Sequence, residues 1–115
     1  AADPHQLVDM LMSGALENIA SAKGHMSRNE IAEKGNCISK AISIIEGLRG
    51  SLNHEEGADL SANLDSLYEY MQSQLVTANL KNDSVILDEV IGLLMEIRGA
   101  WNQIPEDIRK SFRQS

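Results

Sequence analysis

The sequence is poor in the residues that interrupt helices or cross-link a chain. Its two prolines, Pro4 and Pro105, lie near the ends, so the long stretch between them lacks the strongest helix breaker. Cys37 is the single cysteine, which excludes an intramolecular disulfide and fits a reducing compartment. Aromatic residues make up only 3 % of the 115 residues, so aliphatic side chains and methionine must form the core. That composition suits helices, and the length suits one domain.

Positive charge is also scarce. Lys and Arg number 10 against 17 Asp and Glu, which gives a net charge of −7 and a pI of about 4.8. Nucleic acids and anionic membrane surfaces are bound by clustered Lys and Arg, so we expect neither as a partner. No apolar run approaches the roughly 18 residues of a transmembrane helix, and no signal peptide is visible. The sequence therefore predicts a cytoplasmic protein that does not insert into a membrane.

Apolar residues recur at intervals of three and four positions in four segments, which is the spacing of helices that bury one face. The predicted helices cover residues 3–26, 30–52, 58–80 and 84–103. The predicted inner faces are Leu7, Met10, Leu11, Ala15, Ile19, Ala22 and Met26 on the first helix; Ile31, Ile38, Ala41, Ile42, Ile45, Leu48 and Leu52 on the second; Leu60, Leu64, Leu67, Met71, Leu75 and Ala78 on the third; and Leu87, Ile91, Leu94, Arg98 and Trp101 on the fourth.

The breaks between these helices carry capping residues. We expect Asp3 to cap the first helix, Asn29 the second, and Asn82 or Asp83 the fourth. Four helices of about 20 to 24 residues with short breaks predict an all-α fold, an antiparallel up-down-up-down four-helix bundle. This domain would cover residues 1–104, and residues 105–115 would form a short extra helix or a frayed tail.

Three glycines, Gly35, Gly47 and Gly50, lie inside the predicted second helix. Each costs about 1 kcal/mol relative to alanine in an exposed helix interior, so each calls for a reason. The favoured interpretation is close packing against a neighbouring helix. The alternative is backbone room for a partner.

The fourth helix has more apolar surface than a bundle needs. A second apolar stripe, Ile86, Val90, Leu93, Ile97 and Ala100, runs beside the first. Either a wide core face absorbs both stripes, or one edge stays exposed as a groove for the amphipathic segment of a partner. The sequence leaves both interpretations open.

The third helix has a polar stripe with little charge. Its members are Asn63, Ser66, Tyr70, Ser73, Gln74 and Thr77. A solvated face would carry more Glu and Lys, whereas uncharged polar groups around a tyrosine are typical of a binding surface, because they are less costly to desolvate. We therefore expect Tyr70 to be a surface anchor. Tyr68 is expected to pack between helices with its hydroxyl at the rim.

Residues for catalysis or metal binding are not arranged in any known pattern. His5, His25 and His54 lack metal-ligand spacing, and no phosphate-binding glycine loop or nucleophile elbow occurs. Cys37 has no base beside it and is expected to be a small, half-buried residue. A histidine phosphotransfer domain would place Lys-Gly after its histidine, whereas Lys23-Gly24 precedes His25 here. The sequence predicts neither an enzyme nor a cofactor.

Three stretches of sequence together resemble the flagellin-specific export chaperones, the FliS family. Asn63, Leu64, Leu67, Tyr68, Tyr70 and Met71 form an N-L-x-x-L-Y-x-Y-M run, followed by Ala78-Asn79. The first helix contains Pro4-His5-Gln6-Leu7, Met10-Leu11 and Gly14-Ala15-Leu16. The last contains Glu89-Val90-Ile91-Gly92-Leu93-Leu94, Arg98 and Ala100-Trp101. The resemblance extends over residues 3–104.

The resemblance implies a non-enzymatic chaperone that binds the disordered C-terminal segment of flagellin, prevents premature polymerisation and supports delivery to the flagellar export gate. It implies that Asn63, Leu67, Tyr70, Gln74, Ala78 and Asn79 contribute to the flagellin surface, although Asn79 could instead help to end the third helix. Together with Ile86, Val90 and Leu93 of the second apolar stripe, they form the predicted flagellin-binding set. The alternative is a generic helical adaptor for another amphipathic helix.

Two departures from the family pattern have consequences. Many members have Tyr-Asp where this chain has Met12-Ser13; methionine keeps the apolar volume, so we expect binding to survive without any tyrosine-specific hydrogen bond. Members usually carry a further N-terminal stretch before the position of Pro4. If that stretch folds back over the binding groove, a chain that starts at Ala1 is expected to self-associate more readily than a longer one.

Overall fold

The computed structural model describes residues 4–52 and 58–103, and this part of the chain forms four α-helices. They are α1 (Pro4–Ser27), α2 (Ile31–Gly50), α3 (Ala58–Lys81) and α4 (Ser84–Gln103). The predicted helices are confirmed to within about two residues at each described end. The expected Asp3 cap, the turn at 53–57 and the tail at 105–115 lie outside the described residues.

The helices form a ring in chain order. α1 packs against α2 and α4, and α3 packs against the same two helices. Interhelical contacts join opposite ends: His5 near the start of α1 stacks on Trp101 near the end of α4, and Arg49 near the end of α2 binds Asp65 near the start of α3. The fold is therefore the predicted all-α, antiparallel, up-down-up-down bundle.

One apolar core runs along the inside of this ring. Its fully covered members include Ala15, Ile19, Ala22, Ile38, Ala41, Ile45, Met71, Leu75, Ala78, Leu87, Val90 and Leu94. Ala15 and Ala22 of α1 and Ala41 of α2 are fully buried in this core, and α1 packs directly against α2. Cys37 is half-buried, as expected, and packs beside this core.

The first halves of α1 and α3 are rotated relative to the prediction. On α1, Leu7 and Met10 are 51 % and 61 % exposed, whereas Val8 and Met12 are buried. On α3, Leu60 and Leu67 were expected inside but are 39 % and 38 % exposed. Tyr68 is instead buried, with 2 % of its surface exposed. Neighbouring residues differ by about 100° around a helix, so two adjacent stripes fit the same spacing. Packing against the other helices selects one of them.

Two further inner-face predictions are wrong. Ile31, the first residue of α2, is 57 % exposed. Arg98 is half-buried at the α1–α4 seam, and its guanidinium donates to Asp9 from Nε at 2.8 Å and from Nη2 at 3.3 Å. It is therefore an interhelical ion-pair partner, not a core residue.

Tyr68 also differs in detail from its prediction. Its ring packs between helices as expected, but burial raises the pKa of its hydroxyl to about 12. A hydroxyl at the rim would stay hydrated and keep an ordinary pKa. The hydroxyl is thus shielded from water.

Asparagines end α1 and α3. Asn29 and Asn82 have φ values of 59° and 56°, the left-handed conformation that terminates helices and that asparagine tolerates. The amide of Glu30 donates to the carbonyl of His25 and that of Asp83 to the carbonyl of Ala78, the long hydrogen bond of a Schellman motif. Asn29 therefore ends α1 and does not cap α2, where Glu30 takes the cap position. Of the two residues expected to cap α4, Asp83 does so, accepting from Val85 N at 2.9 Å.

A buried lysine ties α2 to the end of α3. Lys34 is 4 % exposed, and its Nζ donates to the carbonyl oxygen of Asn79 at 3.1 Å and to Oδ1 of Asn82 at 2.8 Å. The last carbonyls of a helix carry partial negative charge and lack helical partners, so a cation is favourable there. Asn82 therefore has two functions, turning the chain and binding Lys34.

The two asparagines should respond differently to replacement by glycine. Asn29→Gly is expected to leave the free energy of unfolding unchanged or to raise it by up to about 1 kcal/mol, because glycine adopts positive φ without strain. Asn82→Gly relieves the same backbone strain, but it also removes a hydrogen-bond acceptor from buried Lys34. The loss of this acceptor should lower the free energy of unfolding by about 1 to 3 kcal/mol. Urea denaturation of both variants measures the difference, and equal effects would contradict a stabilising role for the Lys34–Asn82 bond.

The ion pair between α1 and α4 predicts a pH dependence. Hydrogen bonds from Arg98 and then Asn102 hold the pKa of Asp9 below its ordinary value of 3.8. Because the folded-state pKa is depressed, the stabilisation is fully present above the unfolded-state pKa and is lost as the pH falls through the folded-state pKa. The difference in unfolding free energy between wild type and Asp9→Asn should be constant above about pH 5 and shrink below about pH 4. Denaturation at a series of pH values measures it; a difference that stays constant into strong acid would show that Asp9 is not stabilised as a carboxylate.

Candidate functional site

Helices α3 and α4 present a shared surface that contains most of the predicted binding residues. We call it the α3–α4 surface. Its members are Asn63, Leu67, Tyr70 and Gln74 on α3 and Ile86, Glu89 and Leu93 on α4. The α3 members recur at intervals of three and four positions, and so do the α4 members, so each group lies on one side of its helix.

A hydrogen-bonded cluster lies at the centre of this surface. The hydroxyl of Tyr70 donates to Oε2 of Glu89 at 2.8 Å, and Nε2 of Gln74 donates to Oε1 of the same carboxylate at 2.9 Å. The hydrogen bond to Glu89 also raises the pKa of the Tyr70 hydroxyl. The tyrosine ring remains 43 % exposed, so its polar end is fixed and its apolar face is open.

Tyr70 is surrounded by a shallow polar groove and by apolar side chains of α3 and α4. A shallow groove of about 340 Å³ beside the ring is lined by Ser66, Glu69, Tyr70 and Ser73. Leu67 is 38 % exposed one turn before Tyr70. On α4, the half-buried Ile86 and Leu93 lie three positions before and four positions after Glu89. The surface thus offers apolar side chains and uncharged polar groups around the carboxylates of Glu69 and Glu89.

Three residues of the predicted set do not belong to this surface. Ala78 and Val90 are fully covered and belong to the core, so their side chains cannot reach a partner in this conformation. Asn79 follows Gln74 by five positions, about 140° around the helix, and its carbonyl faces Lys34 of α2. The second apolar stripe of α4 is thus split: Val90 is absorbed by the core, Ile86, Leu93 and Ile97 are half-buried, and Ala100 is exposed.

The structure adds two features that sequence reasoning missed. Glu89 was not predicted as a site residue, since its role depends on partners 15 and 19 positions away. The other feature is an apolar pocket of about 110 Å³ at one end of the bundle, which we call the bundle-end pocket. It is lined by Val8, Met12, Ser51, Leu52, Leu60, Leu64, Tyr68, Ile97, Ala100 and Trp101. The only signal for it in the sequence is that the apolar stripe predicted for α3 already begins at Leu60.

Trp101 closes one wall of the bundle-end pocket. Its Nε1 donates to the carbonyl oxygen of His5 at 3.2 Å, and the two rings stack with centroids 5.0 Å apart. Met12 also lines this pocket and is 1 % exposed. The pocket is roughly the size that accepts one aliphatic or aromatic side chain.

The interpretation of Gly35, Gly47 and Gly50 as packing residues is wrong. A Cβ built at any of the three would meet nothing within 4 Å, so no neighbouring helix requires glycine there. The open space agrees with the alternative interpretation, room beside the α2 backbone.

Neither a metal site nor a phosphotransfer site is found in the described part of the chain. No group of three or more His, Cys, Asp or Glu within residues 4–52 and 58–103 could hold a metal ion. His25 lies near the end of α1, where its Nδ1 is 2.7 Å from Oε1 of Glu30 and Arg28 donates to the same oxygen. It therefore orders the α1–α2 turn. None of the four helices is long and apolar enough to cross a membrane.

Comparison with known proteins gives consistent matches over nearly the whole chain. The family model of the flagellar protein FliS matches residues 1–107. The flagellar secretion chaperone FliSB of Pseudomonas aeruginosa is 52 % identical over 103 residues, which covers 90 % of this chain and 82 % of that protein. The flagellar secretion chaperones FliS of Vibrio cholerae and Salmonella typhimurium are 46 % and 41 % identical, over 93 % and 100 % of this chain and 79 % and 84 % of their own lengths.

Proposed function

The chain belongs to the FliS family of flagellar secretion chaperones, a family without enzymatic activity, and on that premise we propose that it binds the C-terminal segment of flagellin. Binding takes place in the bacterial cytoplasm. It covers the apolar surface through which flagellin polymerises and keeps the subunit available for delivery to the export gate.

The α3–α4 surface is the observation that supports this proposal best. A segment that folds into an amphipathic helix on binding needs apolar contacts for its buried face and polar partners for its ends. Leu67, the ring of Tyr70 and the edges of Ile86 and Leu93 supply the apolar contacts. Asn63 and Gln74 supply amide groups that can pair with peptide backbone.

Preorganisation of this surface reduces the cost of binding. A disordered tail loses conformational entropy when it becomes ordered on binding. Binding is therefore tighter if the side chains of the chaperone are already ordered and lose little further entropy. Glu89 holds Tyr70 and Gln74 in place before any partner arrives. The ring of Tyr70 can therefore be covered by flagellin without a second ordering step.

The bundle-end pocket offers a second point of attachment. It lies at the end of the bundle where α3 begins and α4 ends, and its lining is almost entirely apolar. A flagellin segment that runs along the α3–α4 surface towards this end can insert one apolar side chain there. An extended interface with one such anchor suits a client that wraps around its chaperone.

Isothermal titration calorimetry tests the proposal directly. The probe is a synthetic C-terminal flagellin peptide of about 40 residues, long enough for the large burial that coupled folding shows. One-to-one binding with a negative heat-capacity change and a gain of helicity is expected. A scrambled peptide of the same composition is the control. Equal binding of both peptides would instead favour a generic adaptor for amphipathic helices, and no binding of either would contradict the proposal.

A further inference from the structure

Glu89 places a negative charge at the centre of the α3–α4 surface. Its two carboxylate oxygens each accept one hydrogen bond, from the hydroxyl of Tyr70 at 2.8 Å and from Nε2 of Gln74 at 2.9 Å. Both donors are neutral, and Glu89 makes no ion pair within residues 4–52 and 58–103. An ionised carboxylate has about four acceptor positions, so about two of them stay open to solvent. The charge is therefore held in position but not neutralised.

Neither helix of this surface supplies a cation for Glu89. Each has a single Lys or Arg, which is Lys81 on α3 and Arg98 on α4. Arg98 donates to Asp9 of α1 at 2.8 Å, so its charge is already paired. Lys81 follows Gln74 by seven positions, which is about 10 Å along the helix. A counter-charge at Glu89 therefore has to come from a bound partner.

A partner that covers the ring of Tyr70 also covers Glu89, because the tyrosine hydroxyl lies 2.8 Å from the carboxylate. Removing an ionised carboxylate from water is costly unless a charged or hydrogen-bonding group takes the place of the water. A segment with only apolar side chains at this point would bury the charge without a partner. A segment with a positive side chain there would pair with it and avoid that cost.

We propose that Glu89 is a specificity-determining residue of the flagellin site and pairs with a Lys or Arg side chain of the bound segment. This inference rests on the proposed function, since the occupant is the same C-terminal segment of flagellin. Ile86 lies three positions before Glu89 and Leu93 four positions after it. A helix packed along α4 would therefore carry apolar residues three or four positions to either side of its positive residue. The pair fixes the register of the segment and disfavours one with a carboxylate at that point.

A charge scan of the flagellin peptide tests for the pair. In the peptide of about 40 residues, each Lys and Arg is replaced by Gln in turn. Calorimetry then gives the affinity of every peptide for the wild type and for Glu89→Gln. One peptide substitution should weaken binding to the wild type by about tenfold, as for a close charge pair. The same substitution should change the affinity for Glu89→Gln by less than about twofold, whereas independent losses at every position would overturn the proposal.

Glu89→Gln and Glu17→Gln form a matched pair of chaperone variants. Both remove one negative charge from an exposed helix position, but Glu17 lies on α1, away from the α3–α4 surface. In Glu89→Gln the new amide can still accept from Tyr70 and can donate to the oxygen of a turned Gln74 amide, so the hydrogen bonds persist and only the charge is lost. Affinity for the unaltered peptide should fall about tenfold in Glu89→Gln and stay within about twofold in Glu17→Gln. Equal losses would show that only the net charge matters and would overturn the proposal.

A charge reversal provides a readout that a purely structural role of Glu89 would not move. Glu89→Lys should bind the unaltered peptide poorly and should recover affinity for a peptide whose identified Lys or Arg is replaced by Glu. Circular dichroism checks that the variant is folded. Absence of this recovery in a folded variant would contradict the pairing.

Failure of the inference and failure of the proposed function give different results. If the wild type binds the flagellin peptide and no Lys or Arg of the peptide is coupled to Glu89, the inference alone is overturned. If the wild type does not bind the flagellin peptide, the proposed function is wrong and the inference falls with it.

Discussion

Leu75→Ala is expected to lower the free energy of unfolding by about 2 to 5 kcal/mol. Leu75 lies in the second half of α3 with no exposed surface, so the truncated side chain leaves a cavity that the packed neighbouring helices do not fill. A domain of this size has a total stability of about 5 to 15 kcal/mol, so the loss would be a large fraction of it. Urea denaturation followed by circular dichroism measures the change.

Leu80→Ala is the matched control for this experiment. It makes the same chemical change one and a half turns later on α3, where the side chain is 81 % exposed. Its effect should stay within about 0.5 kcal/mol. Similar losses in the two variants would mean that α3 is rotated about its axis relative to the structure, and the assignment of the α3–α4 surface would be wrong with it.

Tyr70→Ala is expected to weaken binding of the flagellin peptide by about 10- to 100-fold, in the range of an aromatic hot spot. The variant removes the exposed ring and one of the two hydrogen bonds that hold the Glu89 carboxylate, so the surface loses apolar area and part of its preorganisation. Its free energy of unfolding should change by less than about 1 kcal/mol, because the ring is 43 % exposed. Calorimetry gives the affinity, and urea denaturation gives the stability.

Two further variants determine what Tyr70 contributes. Val76→Ala truncates another exposed apolar side chain of α3, about 120° away around the helix, and should leave the affinity unchanged. Tyr70→Phe keeps the ring and removes only the hydrogen bond to Glu89, so its loss should be under about tenfold. Tyr70→Ala with wild-type affinity would place the flagellin site elsewhere, whereas unfolding of that variant would show that Tyr70 is a structural residue.

Helix α4 presents different side chains to its two neighbouring helices. Glu89, Ile86 and Leu93 face α3, whereas Ile91, Met95 and Gly99 face α1. Leu87 and Leu94 fill the core between them. The two apolar stripes seen in the sequence of α4 thus divide among a core and two surfaces, which explains why α4 has more apolar residues than one buried face requires.

Of the site residues that the resemblance to the chaperone family implied, some are exposed in the structure and others are buried in the core. Tyr70 and Gln74 are exposed and joined through Glu89, as a preorganised surface requires. Ala78 and Val90 are core residues. A motif shared by a family records both binding and folding constraints, so its residues include some that only maintain the bundle.

The sequence by itself determined the four helices within residues 4–52 and 58–103, their ends to within about two residues, the antiparallel order and the family. These depend on local information: helical periodicity, capping asparagines and aspartate, short breaks, and an ordered set of motifs. Only the tertiary structure decided which of two adjacent stripes faces inward on α1 and α3, since Leu7 and Val8, or Leu67 and Tyr68, differ by only about 100° around the helix. It also decided that Glu89 joins Tyr70 to Gln74 and that Lys34 binds the end of α3. Such contacts depend on how four helices rotate and dock against one another, which the periodicity of a single helix does not contain.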